Sequence, residues 1–600
     1  MFVSQAILFG DRVLYRFYQK GHWQFFTWEE VLSEVRKISL GLISLGVKKG
    51  DRVAIYAANR VEWCLIDWAS ICIGALTVPV YSSSTPNQAC RVIELSGSTI
   101  LFVDQLRRWE KMDPSHPSIR QIKETIVMES QEQPELSGEE RSLRVHSLDR
   151  LRVVGEELGQ KDGEIFDRRV SSLGPEDDLT IICTSGTTGE PKGVLTTHGH
   201  YLFMIEACSP VISSSDDEVT LQFLPLAHSF GRLEHFMAVA KGYSCGFARS
   251  IETVANDLKV IQPTLLFSVP RIYENAHKRI LSRVAAGSAL GRFFFRWGLS
   301  VGRRFSRYQM EGLKTPLTLR LARYLAYRLV FSKIHQSFGG KLRMAISGGA
   351  PLDSEIGEFF HAVGILIVEG YGLTESSTVS HANRAGRNKF GTVGLPLAGV
   401  ECRIASDGEV LLRGPNIFKC YYRDSDATRE VLGADGWFRT GDVGEIDPEG
   451  FLRITDRKKD LIVTSGGKKV APQMIENLLK ADPLVSQAMV LGDRSSHLVA
   501  LITLDQDKIF ELRERERLEF ANLEEAVSYP RVISIIGERI RQMNKGLAPF
   551  EAVRGFRLLP QDFTLGTGEL TPTLKLKRQV VMERHSGIIE EMTRKPRVEI

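Results

Sequence analysis

Paired cysteines are absent from this chain. Its eight cysteines (Cys64, Cys72, Cys90, Cys183, Cys208, Cys245, Cys402 and Cys420) form no CxxC element in 600 residues. That fits reduced thiols in a cytoplasmic protein better than a zinc site or a disulfide frame. Long apolar runs are absent too. The longest, Cys64 to Tyr81, is interrupted by Asp67, Gly74 and Pro79, so it reads as a buried helix and strand rather than a membrane span. The opening MFVSQAILFG has no basic leader and no cleavage site, so no signal peptide is expected. A charge excess is missing as well. Lys and Arg number 77 against 73 Asp and Glu, a net charge of +4; the total argues neither for nor against a nucleic-acid partner, and none is expected. The common phosphate loop is also absent, because no Gly-Lys pair is followed by a hydroxyl residue.

What is present is an ordinary globular composition, 43% apolar and 25% charged, in a chain too long for one hydrophobic core. From residue 27 to 105 strand-like and helix-like stretches alternate. Thr27 with Glu30 makes a capping box ahead of Val31, Val35, Ile38 and Leu42. Short strands follow at Arg52, Ala75 to Tyr81 and Ile100 to Val103. This rhythm predicts an α/β fold with a parallel sheet and crossover helices. Residues 106–178 are polar and read as surface helices and loops.

The richest stretch is TSGTTGEPKG, Thr184 to Gly193, preceded by the apolar run Leu179 to Cys183. Its glycines and hydroxyl residues can turn N–H and O–H groups toward one point, as a phosphate requires, and Lys192 adds positive charge. Later islands are LPLAHSFGR (224–232), MAISGGAPL (344–352), LIVEGYGLTE (366–375), GWFRTGDVG (436–444), DRKKD (456–460) with SGGKKV (465–470), and ELTPTLKLKR (569–578). Residues 288–335 stand apart: Arg292, Arg296, Arg303, Arg304, Arg307, Lys314, Arg320, Arg323, Arg328 and Lys333 face a single acid, Glu311, and interleave with aromatics. Two readings stay open there, a cationic amphipathic surface for anionic lipid and a solvated helical pair whose aromatics join the core.

Taken in order, the islands resemble the adenylate-forming, AMP-binding superfamily and, within it, the long-chain fatty acyl-CoA synthetases. The resemblance covers nearly the whole chain. It implies a large N-terminal domain (1–455) of sheets flanked by helices, with 288–335 as a basic insertion, and a small mobile C-terminal α+β domain (456–600) hinged at 456–460. It implies a two-step reaction in which a fatty carboxylate attacks the α-phosphate of ATP and the thiol of coenzyme A then displaces AMP. On the matching positions it assigns Thr184, Ser185, Gly186, Thr187, Thr188, Gly189 and Lys192 to the β- and γ-phosphates, Thr374 to the α-phosphate, and Glu375 to Mg2+. Gly349, Ala350, Gly370 and Tyr371 form the adenine slot. Asp442 and Arg457 hold the ribose. Lys575 bridges carboxylate and phosphate, and His228 lines the acyl passage. Lys459 is the hinge, and Gly466, Gly467 and Lys468 turn toward coenzyme A. Leu574 replaces a glycine common in relatives and Lys577 lies two residues on, so the bridging lysine stays open between Lys575 and Lys577. A tryptophan gate found in some relatives has no counterpart, since Phe230 and Arg232 occupy that neighbourhood. A carrier-protein thiol as acceptor and a non-catalytic lipid- or nucleotide-binding role remain as alternatives.

Overall fold

The computed structural model describes residues 1–129, 145–185, 191–212, 217–466, 468–493, 495–564, 566–571 and 576–594. These residues form two compact units. One comprises 1–403, 411–439 and 447–452; the other comprises 404–410, 440–446 and 453–600.

In the larger unit an eight-stranded sheet runs in the order Cys420–Tyr421, Pro191–Thr197, Asp178–Ser185, Leu76–Tyr81, Arg52–Ala57, Ile100–Val103, Glu124–Val127, Val145–Ser147. From Asp178–Ser185 to Val145–Ser147 all neighbours pair in parallel. Val53, Ala54, Ile55, Tyr56 and Ala57 are all buried, as expected of strands covered on both faces. The polar look of 106–178 conceals two of these strands, Glu124–Val127 and Val145–Ser147. They are four and three residues long, too short for alternation to register.

The helix Trp28–Ser44 begins at the expected cap. The Thr27 hydroxyl accepts from the Glu30 N–H at 3.2 Å and the Glu30 carboxylate accepts from the Thr27 N–H at 2.7 Å, a cap that contributes about 1 kcal/mol. A second sheet has the order Leu265–Ser268, Met344–Ser347, Leu366–Tyr371, His381–Ala382, Leu395–Pro396. Its first three strands are parallel, so the turns after Ser347 and Tyr371 leave the same edge, where ligands collect in open α/β sheets. A third sheet joins Val219–Gln222, Ser244–Phe247, Val13–Gln19 and His22–Thr27.

Residues 288–335 form helices Ala289–Met310 and Leu317–Ala326, a π-turn Tyr327–Phe331 and a short helix Ser332–Ser337. Their aromatics divide between the two sequence readings. Phe295 and Phe331 are core, whereas Phe293 and Tyr324 are exposed. No described helix is long and apolar enough to cross a membrane.

In the smaller unit, strands Val485–Leu491, Leu498–Leu504 and Val553–Leu559 form a sheet, antiparallel then parallel. Ile475 and Leu479 of helix Pro472–Ala481 and Ile535, Ile536 and Ile540 of helix Pro530–Asn544 complete one of its apolar clusters. A further sheet of Glu401–Ile404, Glu409–Arg413, Phe438–Ile446 and Leu452–Arg457 supplies residues to both units.

Candidate active site

In the larger unit the strand Asp178–Ser185 turns back antiparallel into Pro191–Thr197, with Thr184 opposite Lys192. Gly186, Thr187, Thr188 and Gly189, and the side chain of Ser185, lie outside the described residues. The flanking positions are well defined. Cys420–Tyr421 adds to the free side of Pro191–Thr197, pairing Tyr421 with Val194. The Lys192 ammonium sits 5.0 Å from the centroid of the Tyr421 ring, a cation–π contact.

From the other direction comes the GYGLTE turn. Thr374–Ser376 is a single 3-10 turn after the strand Leu366–Tyr371. Its carboxylate bearer, Glu375, is half-buried and accepts at Oε1 from the Tyr421 hydroxyl at 2.8 Å. Burial and the Glu375 charge together push the Tyr421 phenol well above its ordinary range, so it stays protonated and donates. The Phe418 N–H bonds the Glu375 carbonyl at 2.8 Å. Tyr421 thus touches both the cation of one island and the carboxylate of another. No described residue is bonded to Glu375 Oε2.

The backbone after Glu375 is unusual. Ser377 (φ 50°) and Thr378 (φ 105°) occupy the left-handed side of the map, at a cost of about 1–3 kcal/mol each for residues with a Cβ. Both are buried, and the Thr378 hydroxyl donates to the Ser229 carbonyl at 3.2 Å. A Cβ at Gly372 would collide with the Thr378 carbonyl, so the motif's second glycine permits this close backbone approach.

Gly349 (φ 82°) and Ala350 are exposed in the turn after Met344–Ser347, and Gly370 and Tyr371 end the neighbouring parallel strand. These four share the sheet edge that carries Thr374 and Glu375. The residue before them, Glu369, is buried and accepts from the Leu352 N–H at 3.1 Å; burial pushes its carboxyl up to about 7.

His228 caps the helix Ser229–Lys241, its Nδ1 accepting from the Phe230 N–H at 3.2 Å. Along that helix every residue from Ser229 to Val239 is buried. Arg232 is ion-paired with Asp67 at 2.6 Å, and both side chains are 0% exposed. Its guanidinium also bonds the Thr77 hydroxyl at 2.8 Å and the Thr180 hydroxyl. Arg232 is therefore locked into the core and has no freedom to swing as a gate.

In the smaller unit Asp442 is 3% exposed and ion-paired with Arg457, Nε to Oδ1 3.1 Å. Lys458 bonds Asp407 at 2.7 Å and Glu409 at 2.8 Å. Lys459 lies in the turn that follows Leu452–Arg457; desolvation, then the neighbouring Arg457, pushes its ammonium below the ordinary range. Gly466 and Lys468 are exposed in the turn between Ile462–Val463 and Lys469–Val470, where the Lys468 N–H bonds the Thr464 hydroxyl at 3.2 Å. Gly467 and Lys575 lie outside the described residues. Lys577 stands at the start of helix Arg578–Arg584, its N–H on the Glu569 carbonyl at 2.8 Å.

The AMP-binding enzyme family matches residues 2–422, and its C-terminal domain family matches 459–595. The chain belongs to the AMP-binding enzyme family. The long-chain-fatty-acid–CoA ligase FadD15 of Mycobacterium bovis is 37% identical over 590 residues, covering 98% of this chain and 95% of the relative. The peroxisomal long chain acyl-CoA synthetase 7 of Arabidopsis thaliana is 32% identical, over 95% of this chain and 82% of its own. Among solved structures, the adenylation domain of a carboxylate reductase from Mycobacterium chelonae superimposes with a TM-score of 0.75 at 20% identity, covering 98% of this chain and 90% of that one. The o-succinylbenzoate coenzyme A synthetase of Bacillus subtilis in complex with AMP gives a TM-score of 0.66 at 20% identity, covering 96% and 97%. These two likenesses bear on the fold alone.

Two features of this AMP-binding enzyme escaped the sequence reading. Tyr421 lies 46 positions from Glu375 in a stretch, KCYYRD, that carries no signal of its own. Arg232 was visible in LPLAHSFGR, but its partner Asp67 lies 165 positions away. The available hint was Asp67 itself, a lone acid in an apolar run, which requires a cation when buried.

Proposed function

We propose that this AMP-binding enzyme is an acid–thiol ligase that activates a long-chain fatty acid with ATP to the acyl-adenylate and pyrophosphate, then transfers the acyl group to coenzyme A with release of AMP. The observation that carries the chemistry is Tyr421, in contact with the Lys192 ammonium on its ring face and the Glu375 carboxylate on its hydroxyl. A cation and an anchored carboxylate side by side suit a magnesium nucleotide. The names of the full-length relatives support the acyl and acceptor classes.

Glu375 fits Mg2+: one carboxylate oxygen is held by Tyr421 and the other is bonded to no described residue, and carboxylate and phosphate oxygens are that ion's preferred ligands. When bound, the ion neutralises phosphate charge. Lys192 and the hydroxyl-rich turn around Thr184, Ser185, Thr187 and Thr188 would hold the β- and γ-phosphates. Thr374 would place the α-phosphate. Gly349, Ala350, Gly370 and Tyr371 would enclose adenine, and His228 would border the acyl path. Asp442, ion-paired with Arg457, would accept from the ribose hydroxyls. In the first step a fatty carboxylate oxygen bonds to the α-phosphorus as the bond to the β-phosphate oxygen breaks. Lys575 would offset the charge of the two converging anions. In the second the thiol loses its proton, sulfur bonds the acyl carbon, and the bond to AMP breaks. A rotation about 456–460, centred on Lys459, would exchange Lys575 for Gly466, Gly467 and Lys468 between steps. Cytoplasmic placement accords with eight free cysteines. Peripheral contact with anionic lipid through 288–335 accords with its many arginines and its single acid, Glu311.

The experiment is a thioester assay with Mg-ATP and coenzyme A over fatty acids of increasing length, with Lys575→Ala and Lys577→Ala alongside. Thioester formation lost in Lys575→Ala supports the reading. Pyrophosphate release without thioester points to a carrier-protein acceptor. Neither product at any chain length removes the ligase reading.

A further inference from the structure

The helical segment 288–335 carries an open surface concavity of about 550 Å3 whose lining includes Phe305, Thr315, Arg320, Arg323, Tyr324 and Tyr327. Its chemistry is one-sided. Arg323 lies with its guanidinium carbon 4.7 Å from the Phe331 ring centroid and 5.6 Å from that of Phe305. Its Nη1 is buried and has no hydrogen-bond partner among the described residues. Burial pulls the guanidinium below its ordinary range with no carboxylate to restore it. The nearby imidazoles of His335 and His361 are both held toward the neutral form by burial, so they supply no negative charge. Gly364 (φ 96°) lies against Arg323 Nη2, where any Cβ would collide. Arg320 forms no ion pair or side-chain hydrogen bond among the described residues, and Glu311, the segment's one acid, pairs with none of its cations. Elsewhere in the same unit Arg60, Arg108, Arg152, Arg249 and Arg343 all engage carboxylates.

A desolvated cation without a counter-charge is costly, and guanidinium forks match the oxygens of a phosphate. Around these two forks stand the Thr315 hydroxyl, the Gln309 amide and three aromatic walls, two of them tyrosines with hydroxyls of their own. Beside them Leu317 and Leu321 are 80% and 63% exposed. An anion with an apolar stem satisfies both halves of this surface.

We propose that this concavity is a binding site for an amphiphile with a phosphate monoester head, with Arg320 and Arg323 on the phosphate and Phe305, Tyr324 and Tyr327 against its apolar stem. It rests on the helical segment alone and stands apart from the ligase reading.

The test fills the proposed acyl site first with a non-hydrolysable acyl-adenylate mimic, then titrates the intact enzyme with dodecyl phosphate below its micelle concentration, by calorimetry. The expected result is one further saturable equivalent, bound at least tenfold more tightly than inorganic phosphate or dodecanol, with Arg320→Gln and Arg323→Gln each weakening it at least tenfold. Arg320 is exposed, so its variant is informative even if Arg323→Gln folds poorly. Sedimentation with phosphatidylcholine vesicles containing phosphatidic acid separates two sources of the head group. Arg320-dependent cosedimentation identifies a membrane lipid, and dodecyl phosphate binding without cosedimentation identifies a free metabolite. No additional equivalent, or binding unaltered by Arg320→Gln, overturns the proposal.

Discussion

The Tyr421 hydroxyl donates to Glu375 Oε1 at 2.8 Å while its ring carries the Lys192 ammonium at 5.0 Å. Tyr421 does not have to touch substrate to matter; it fixes where the carboxylate points. A hydrogen bond to a charged group contributes about 1.5–3 kcal/mol. Tyr421→Phe keeps the ring under Lys192 and removes only that bond. The expected result is a rise of roughly tenfold or more in the magnesium concentration needed for half-maximal pyrophosphate release, with little change in the KM for fatty acid. An unshifted magnesium dependence would remove Tyr421 from this role.

Arg232 and Asp67 form a pair with no solvent access. Removing one partner strands the other, at a cost of about 3–5 kcal/mol. Asp67→Leu alone and Arg232→Met alone should each lower the denaturation midpoint of the larger unit sharply. The double variant should recover most of the loss, because two apolar side chains can fill the same space. Equal losses in single and double variants would show that the pair works through something other than charge.

Glu369 gives a pH dependence with a defined sign. Its folded carboxyl titrates at about 7 against an ordinary value of 4.5. Between those values the folded state binds more protons than the unfolded state, so this group's stabilisation is full below pH 4.5 and is lost as pH rises through 7. The loss is on the order of 3 kcal/mol. Glu369→Gln should flatten the stability profile between pH 5 and 8 relative to the parent, as read by urea denaturation. Parallel profiles would place the titration elsewhere.

Much of this was legible in the chain because it is local. The Thr27–Glu30 cap, the turn from Cys183 toward Gly193 and the strand before Gly370 depend on residues within a few positions of each other. What was not legible depends on distance. Tyr421 gains its meaning from Glu375, and Arg232 from Asp67 and Thr77, across separations no local pattern encodes. The strands Glu124–Val127 and Val145–Ser147 owe their state to a sheet edge already present. Residues 404–410 and 440–446 cluster with 453–600 in one unit, an association of segments separated in sequence. In 288–335 the alternation of arginine with aromatics was plain, but which aromatics are core was set by packing: Gly302 lies against the Ala362 carbonyl with no room for a Cβ.

Ser377 holds a left-handed backbone directly after the turn that bears Glu375. Glycine accepts that conformation without the steric cost a Cβ imposes. Relief of strain and the added freedom of the unfolded chain act in opposite directions, each near 1 kcal/mol. Ser377→Gly should therefore leave the unfolding midpoint nearly unchanged. Its effect on adenylation should be larger, because the serine holds the turn to a single backbone conformation and glycine admits several. The expectation is a several-fold fall in the rate of pyrophosphate release at saturating Mg-ATP, reversed in part by Ser377→Asn, since asparagine tolerates the left-handed region. A Gly variant with the parent's rate, or an Asn variant slower than Gly, would show that strain at this position plays no part in presenting the carboxylate.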